Sequence, residues 1–320
     1  MLAIEVEKLN KQYKNGVKAL DNLSLRVNNG EIFSLLGLNG AGKSSLINIL
    51  TTYYKPTSGK VTVLGKDLCK ECGWVRTQIA CVAQHVSIDA HLSLMENMIF
   101  QSKLYKLDKQ TAKERINFLI DTFELSEYLK YPTSSYSGGV KRRLDIAMNM
   151  ISSPKILFLD EPTVAMDVES RKVMWKMLLK IRENYGTTIF LTTHYLEEAD
   201  QLSDMICIMK DGKEVAQGTP DDLRSYTRQN MLRMSFSNVD EAKKYKNAFD
   251  SSGLTKFTKV EENSIIAGVD DCRRDFTIVN KWLLEHNAEF NAIEIVKPSL
   301  EDVFLSLINS KGNGKEERVC

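Results

Sequence analysis

Alternating apolar and polar positions open the chain and predict β-strands. From Leu2 to Val27 the apolar residues fall mostly at every second position, and the turn-forming Asn28-Asn29-Gly30 follows. This alternation is typical of antiparallel strands with one buried face. The next run, Ile32 to Leu36, is apolar except for one serine, which predicts a strand that is buried on both faces.

Further short apolar runs predict that this strand belongs to a parallel sheet. The runs are Ile79 to Ala83, Ile156 to Asp160 and Thr187 to Thr192, and segments of helical character separate them. From about residue 90 to residue 150 the apolar residues instead follow the period of a helix. The apolar faces there comprise Leu94, Met98, Leu104, Ile116, Leu119, Ile120 and Phe123. We therefore expect an α/β domain with an antiparallel β subdomain and a helical insertion.

After Thr219-Pro220 the pattern changes to that of a small α+β domain. The predicted order is strand (Met231 to Phe236), helix (Asp240 to Asp250), strand (Leu254 to Val260), strand (Ser264 to Val269), helix (Cys272 to Leu284) and strand (Glu289 to Val296). The order βαββαβ is typical of a ferredoxin-like module. We expect the first domain over residues 1–226, the second over 227–309 and a flexible tail over 310–320.

Composition excludes several classes of protein. The 320 residues, 43% of them hydrophobic, suit two globular domains, and a net charge of +1 argues against a nucleic-acid partner. No apolar run approaches the roughly 18 residues of a membrane span, and the segment Met1 to Lys8 lacks the apolar core of a secretory signal, so we expect a cytosolic chain. Cys69 and Cys72 form a C-x-x-C pair without a second pair at zinc-site spacing, which favours ordinary loop cysteines.

A glycine-rich segment directly after the strand Ile32 to Leu36 predicts a phosphate-binding loop. The run from Gly37 to Ser44 satisfies G-x-x-x-x-G-K-[ST] and opens a predicted helix. Glycines allow successive backbone N–H groups to face a phosphate chain, Lys43 can reach the β- and γ-phosphates, and Ser44 can hold Mg²⁺. The expected nucleotide contacts are Gly37, Asn39, Gly40, Ala41, Gly42, Lys43, Ser44 and Ser45.

Two carboxylates end the strand Ile156 to Asp160, where ligands of open parallel sheets bind. Asp160 would anchor Mg²⁺, directly or through water, and Glu161 would polarise the attacking water. In phosphoryl transfer, positioning and charge neutralisation supply most of the catalysis, so one carboxylate for the metal and one for the water is a plausible division.

Together with a Ser-Gly-Gly segment, these motifs resemble those of the nucleotide-binding subunit of an ATP-binding cassette (ABC) transporter. Tyr136-Ser137-Gly138-Gly139-Val140 is similar to the family's signature motif and lies between the glycine-rich loop and the carboxylate strand. The resemblance covers about residues 4–226. It implies a P-loop NTPase core in which Ser137, Gly138 and Gly139 contact an ATP molecule bound to a partner subunit.

The resemblance assigns roles to four further residues. Gln84 matches the glutamine that senses Mg²⁺ and water, and His194 matches the switch histidine at the γ-phosphate. Asp167 matches the aspartate that contacts the opposite P-loop, and Tyr13 matches the aromatic residue that stacks on adenine.

Two departures from the family's pattern leave the chemical groups in place. Ala165-Met166 stands where the family usually has Gly-Leu before the aspartate, and Ala83 stands where it usually has proline before the glutamine.

The segment Pro298-Ser299-Leu300-Glu301-Asp302-Val303-Phe304 resembles the ending of stand-alone ATPase subunits of drug, antibiotic and lipid exporters. The resemblance therefore implies an Mg²⁺-dependent ATPase that pairs with a second such subunit, taken as a second copy. It would power export of an amphipathic compound through a separate permease subunit at the cytoplasmic face of the membrane. An importer ATPase and a soluble ABC ATPase that does not transport remain alternatives, and a GTPase is disfavoured because no guanine-reading N/T-K-x-D motif follows.

Overall fold

A computed structural model of the protein describes residues 1–226 and 230–309. Contacts divide the chain into two units, Met1–Pro220 and Asp221–Cys320. The predicted tail over 310–320 lies outside the described residues. Within the described ranges, none of the helices combines the length and apolar character needed to cross a membrane.

Strands and helices of the first unit follow the order that the sequence predicts. The strands are β1 (Leu2–Gln12), β2 (Lys18–Asn28), β3 (Ile32–Leu36), β4 (Ser58–Val63), β5 (Lys66–Asp67), β6 (Ile79–Val82), β7 (Ile156–Asp160), β8 (Thr188–Thr193), β9 (Met205–Lys210) and β10 (Lys213–Gly218). The helices are α1 (Lys43–Leu50), α2 (Cys72–Gln78), α3 (Leu94–Leu104), α4 (Lys109–Thr122), α5 (Gly138–Met150), α6 (Val168–Tyr185) and α7 (Leu196–Leu202). A short helix, α8 (Pro220–Tyr226), follows at the division between the units.

Two sheets organise this unit. One is antiparallel with the order β2-β1-β4-β5, and the other has the order β10-β9-β3-β8-β7-β6. In the second sheet β9, β3, β8, β7 and β6 pair in parallel, and only β10 runs antiparallel to its neighbour. This mixed architecture confirms the predicted P-loop NTPase fold with an antiparallel β subdomain.

The parallel sheet is buried on both faces, which explains the apolar runs of its strands. In β7, Leu157 and Leu159 pack into the cluster that contains the helices α3 to α6. Phe158 points the other way, into the cluster shared with the antiparallel sheet and α1. Because successive side chains of a strand face opposite sides, a strand between two layers is predominantly apolar, and its few polar positions here carry small hydroxyl residues such as Ser34 of β3 and Thr192 of β8.

The helical insertion is confirmed, with one incorrect detail. Leu94 and Met98 are buried on α3, as expected, but Leu104 is 60% exposed. A buried stripe with helical spacing runs from Leu94 and Met98 through Ser102 to Tyr105, so it passes beside Leu104, the last residue of α3. The four apolar residues predicted on and after α4 are all buried: Ile116, Leu119, Ile120 and Phe123.

The second unit forms the predicted ferredoxin-like module. Its strands are β11 (Asn230–Phe236), β12 (Phe257–Glu261), β13 (Ser264–Val269) and β14 (Phe290–Val296), and its helices are α9 (Val239–Ser252), α10 (Cys272–Glu285) and α11 (Leu300–Asn309). The strand order in this sheet is β12-β13-β11-β14, and all three neighbouring pairs are antiparallel. The consecutive strands β12 and β13 therefore lie on one side of β11, and β14 lies on the other. Apolar residues of α9 and α10 pack on one sheet face.

Helix α11 begins with a reciprocal cap, as the Pro-Ser sequence predicts. The Asp302 N–H donates to the Ser299 hydroxyl at 3.2 Å, and the Ser299 N–H donates to the Asp302 carboxylate at 2.9 Å. The same carboxylate group accepts from Lys259 of β12 at 2.7 Å, which ties α11 to this sheet.

The central aromatic cluster generates a stability prediction. The Phe190 ring is fully buried, stacks on Phe33 with centroids 5.2 Å apart and lies 5.6 Å from Phe158. Phe190→Ala should lower the free energy of unfolding of the first unit by about 3–5 kcal/mol, because it opens a cavity between the two sheets. Leu104→Ala, at an exposed position, should change it by less than about 0.5 kcal/mol. Urea denaturation followed by circular dichroism measures both, and equal midpoints would contradict the assignment of the core.

Candidate nucleotide-binding site

The glycine-rich loop lies between β3 and α1, where two of its glycines are sterically required. A Cβ atom on Gly37 would lie 2.6 Å from the carbonyl oxygen of Met209. Gly42 has φ +105°, and a Cβ there would overlap the carbonyl oxygen of Ala19. Gly42 also caps α1 without a side-chain hydrogen bond from any described residue, so the helix presents its N-terminal amides and its positive dipole end.

The Lys43 ammonium group is folded back over the loop. Its side chain is 5% exposed, and Nζ donates to the carbonyl oxygens of Gly37 at 2.7 Å and Leu38 at 3.3 Å. Oε1 of Glu161 lies 3.4 Å from the same Nζ. A buried cation therefore faces the space that the loop encloses.

Glu161 stands between two groups that carry or can accept a proton. Its Oε1 atom is 3.4 Å from Lys43 Nζ and also 3.4 Å from Nδ1 of His194. Nδ1 of His194 is buried and has no hydrogen-bond partner in the described part of the chain. One carboxylate oxygen thus brings together the ends of β7 and β8 and the start of α1.

Thr192, on the neighbouring strand β8, fixes the end of β7. Its hydroxyl donates to Oδ1 of Asp160 at 2.6 Å and accepts from the Glu161 N–H at 3.0 Å. The Glu161 backbone has φ +47°, a left-handed conformation that costs a non-glycine residue about 1–2 kcal/mol. Such strain persists where surrounding contacts fix the backbone, and it is concentrated at functional sites.

A cavity of about 480 Å³ collects most of the predicted residues. The predicted residues that line it are Tyr13, Asn39, Gly40, Gly42, Lys43, Ser44, Ser45, Gln84, Asp160 and Glu161. Its lining also includes Val17, Lys18, Ala19 and Leu38, which the sequence motifs did not single out. Of the other predicted residues of this site, Gly37 and Ala41 belong to the loop but do not line the cavity. Nδ1 of His194 lies 3.4 Å from Oε1 of Glu161, which does line it.

Tyr13 forms one wall of this cavity. Its hydroxyl lies 3.0 Å from the Ser45 hydroxyl, and its ring meets Tyr54 edge to face with centroids 5.9 Å apart. Lys11 Nζ lies 5.3 Å from the centroid of the Tyr13 ring. These three contacts hold the aromatic ring against the start of α1.

The signature segment lines a different cavity, of about 400 Å³. Ser137 caps α5 by accepting from the Val140 N–H at 3.3 Å, and Asp167 caps α6 by accepting from the Ser170 N–H at 2.8 Å. The hydroxyl and amide of Ser170 stabilise the charged Asp167 carboxylate and lower its pKa. Ser137, Gly139 and Asp167 line this cavity, and Gly138 adjoins it in the sequence. Among residues 1–226 and 230–309, none lines both cavities.

The departure from the family's pattern at Ala165 keeps a glycine-like backbone. Ala165 has φ +60°, in the left-handed region that favours glycine. The backbone turn before Asp167 therefore persists although the residue that suits it best is absent.

Three buried polar residues near the site were missed by sequence reasoning. Glu198 of α7 is fully buried and accepts from Thr163 at 2.8 Å and Trp175 at 3.2 Å, and its burial raises its pKa. Arg142 and Asp145 are buried on α5. Their three- and four-residue spacing from apolar neighbours was the available signal, since it places charges on the core-facing side of a helix.

The candidate metal-binding residues form an oxygen donor set. Ser44, Gln84 and Asp160 line the first cavity together and offer a hydroxyl, an amide and a carboxylate. Mg²⁺ is commonly held by one or two carboxylates together with substrate phosphates, so this set fits the ion. In residues 1–226 and 230–309, no group of three or more His, Cys, Asp or Glu side chains is arranged to hold a metal on its own.

Comparisons with known proteins agree with this geometry. The model of the ABC transporter family matches residues 20–164. The daunorubicin/doxorubicin resistance ATP-binding protein DrrA of Streptomyces peucetius is 36% identical over 306 residues, which cover 95% of this chain and 92% of that protein. The Nod factor export ATP-binding protein I of Sinorhizobium fredii is 35% identical over 219 residues, 68% of this chain and 63% of that protein.

A solved structure has the same fold. The ATP-binding cassette MJ0796, in a dimeric post-hydrolysis state bound to ADP and Pi, superposes with a TM-score of 0.60 at 26% identity, over 68% of this chain and 98% of that one. A relative 36% identical across nearly the whole chain, a matching family model and a common fold lead to one conclusion: the chain belongs to the ABC transporter family.

Proposed function

We propose that this chain is the ATP-binding and ATP-hydrolysing subunit of an ABC exporter. The observation that carries the proposal is the placement of Lys43 and His194 around one carboxylate oxygen of Glu161, beside the glycine-rich loop. Phosphoryl transfer needs a cation for the phosphates, a carboxylate for the attacking water and a polar group at the γ-phosphate, and these residue types meet here.

The loop and Lys43 would bind the phosphate chain. The start of α1 has no side-chain cap among the described residues, and the helix dipole favours anions at this end. Lys43 now donates to two loop carbonyls, so its ammonium group has donors that can be redirected to the β- and γ-phosphates of ATP. Tyr13 lines the same cavity and would offer its ring face to adenine.

Ser44, Gln84 and Asp160 would hold Mg²⁺ in this cavity. The ion would neutralise charge on the β- and γ-phosphates. The Thr192 hydroxyl donates one hydrogen bond to the Asp160 carboxylate and so fixes the orientation of that carboxylate at the end of β7. Gln84 follows β6, the strand that pairs with β7, so its amide lies at the same edge of the sheet.

Glu161 would accept a proton from the attacking water, and His194 would contact the γ-phosphate. Withdrawal of Lys43 toward the phosphates would remove the cation now 3.4 Å from Glu161 and free its carboxylate for the water. His194 already lies within 3.4 Å of that carboxylate, so base and histidine act at one point.

The second cavity would complete the ATP site of a second copy of this chain. Helices α5 and α6 both begin in it, so two helix N-termini point into one space. Ser137, Gly138 and Gly139 would contact the γ-phosphate of the partner's ATP, and Asp167 would contact the partner's loop. ATP binding would then close the dimer, and hydrolysis would reopen it.

The relatives support export of an amphipathic compound, such as a drug, an antibiotic, a peptide or a lipid. One is named for daunorubicin and doxorubicin resistance and another for Nod factor export. The described chain contains no helix able to span a membrane. Because these relatives are named as ATP-binding proteins of resistance and export, we infer a separate permease subunit, with the ATPase bound to it at the cytoplasmic face.

Lys43→Ala should weaken MgATP binding about 10- to 100-fold, because it removes a charge-assisted contact worth about 1.5–3 kcal/mol. Isothermal titration calorimetry measures the affinity. Lys60→Ala, at an exposed position on β4, is the matched control and should bind as the wild type does. Unchanged affinity of the Lys43 variant would mean that the loop does not hold the phosphates.

Glu161→Gln should retain ATP binding and lower the turnover number at least 100-fold, because an amide cannot accept the proton of the attacking water. Phosphate release assays with MgATP measure the rate. Glu197→Gln changes an exposed glutamate of α7 in the same way and should leave the rate unchanged. Turnover near the wild-type rate in the Glu161 variant would exclude Glu161 as the base.

Ser137→Arg should block ATP-driven dimerisation while leaving ATP binding by the monomer intact, because a bulky cation fills the second cavity. The test uses size-exclusion chromatography with MgATP on a Glu161→Gln background, where the parent should elute as a dimer. Ser153→Arg, beyond the other end of α5, is the control and should still dimerise. Equal dimer fractions would show that Ser-Gly-Gly is only a turn, and loss of binding by the monomer would place Ser137 in its own chain's site.

A further inference from the structure

Helix α5 carries a buried ion pair that lines neither cavity. Arg142 is 4% exposed and Asp145 is 1% exposed, and Nη1 of the arginine lies 3.6 Å from Oδ2 of the aspartate. Burial lowers the pKa of the arginine and raises that of the aspartate. Two buried charges are costly to desolvate, so such a pair is tolerated where further hydrogen bonds satisfy it.

The Arg142 side chain donates hydrogen bonds to three backbone carbonyls at the edge of the first cavity. Nη1 donates to the Ala83 carbonyl, Nη2 donates to the Asp160 carbonyl at 3.0 Å, and Nε donates to the Pro162 carbonyl at 3.3 Å. Ala83 lies just beyond Val82, the last residue of β6. The planar guanidinium group reaches three such acceptors at once because its donors are spread over a rigid fork, whereas the three donors of a lysine share one nitrogen.

These three carbonyls belong to the residues around the proposed catalytic groups. Ala83 immediately precedes Gln84, and Asp160 and Pro162 enclose Glu161 on both sides. Arg142 therefore fixes the backbone that carries Gln84 and Glu161. Its three hydrogen bonds go to backbone carbonyls and to neither of these side chains.

Asp145 holds the same segment from its other end. Its Oδ1 atom accepts from the Ser87 hydroxyl at 2.5 Å and from the Ser87 N–H at 3.4 Å. Gln84 thus lies between two anchors, the Ala83 carbonyl on Arg142 and Ser87 on Asp145. Both anchors come from one turn of α5, since residues three apart share a helix face.

We propose that Arg142, supported by Asp145, is a positioning residue for hydrolysis, which links Gln84 and Glu161 to the helix that bears the Ser-Gly-Gly segment. The inference rests on the proposed ATPase function. Helix α5 starts at Gly138 in the second cavity and carries Arg142 one turn later, so a shift of the helix start on dimer closure moves the guanidinium group. The carbonyls around Gln84 and Glu161 then move with it, and occupancy of the second cavity adjusts the first.

The decisive variant is Arg142→Lys, which keeps the positive charge and loses the fork of donors. The turnover number for MgATP should fall roughly tenfold or more, because small displacements of catalytic groups have effects of this order, while the Kd for ATP should stay within about twofold. Amide hydrogen exchange of the peptide over residues 84–89 should speed up without nucleotide. This second readout does not depend on activity.

Two further variants separate positioning from general damage. Ser87→Ala removes one anchor at an exposed residue, so the fold is retained, and it should show a smaller loss of turnover with the same faster exchange over residues 84–89. Arg115→Lys is the matched control. Arg115 of α4 also donates to a backbone carbonyl, that of Ile151 at 2.8 Å, but touches none of the nucleotide-site segments, so turnover and exchange there should be unchanged.

The outcomes distinguish this inference from the function on which it rests. A wild-type chain that binds and hydrolyses no ATP overturns the proposed function, and the exchange measurement then still decides whether Arg142 holds the segment. Wild-type turnover with an equal rate in Arg142→Lys overturns the positioning role alone. A loss of turnover, ATP affinity and thermal stability together would assign Arg142 a structural role and would also overturn the inference.

Discussion

The site depends on the burial of the parallel sheet on both faces. Every side chain of β3 is buried, as is every side chain of β8, so charged side chains cannot stand along these strands without losing their hydration. They stand instead where the strands end. Since β3, β8, β7 and β6 are neighbours and parallel, their carboxyl ends meet at one edge. The glycine-rich loop, His194, the two carboxylates and Gln84 follow these four ends in turn.

Electrostatics at this edge give the arrangement a preferred ligand. Lys43 is almost fully buried and is held by two carbonyl oxygens and one carboxylate, all of them partial or full negative charges. A phosphate chain offers the same kind of partner with more charge, and it would also satisfy the free amides at the start of α1. A polyanion can therefore replace the internal partners of Lys43 without leaving a buried charge unpaired.

Local patterns were sufficient to predict much of the fold. The strands Ile32–Leu36, Ile156–Asp160 and Ser264–Val269 have the predicted bounds, because an apolar run between turn residues is a local signal. The exposed position of Leu104 was not predicted because Leu104 is the last residue of α3, where apolar spacing alone does not show whether the buried stripe includes it. The ferredoxin-like order was predictable because it depends on the sequence of elements alone.

The polar interior was not predictable in the same way. Arg142 reaches Ala83, which is 59 residues away, and Thr192 reaches Asp160 from a neighbouring strand 32 residues away. A charged residue on a helix usually faces solvent, so charge alone favours the wrong face for Arg142 and Asp145, although their spacing from apolar neighbours favours the buried one. The burial of these two residues also links the two cavities, which the sequence motifs alone do not predict. The glycine-rich loop and the Ser-Gly-Gly segment line separate cavities of one chain, and α5 joins them through three backbone carbonyls. Since a packed helix moves as a rigid body, each cavity has a mechanical reason to respond to the other.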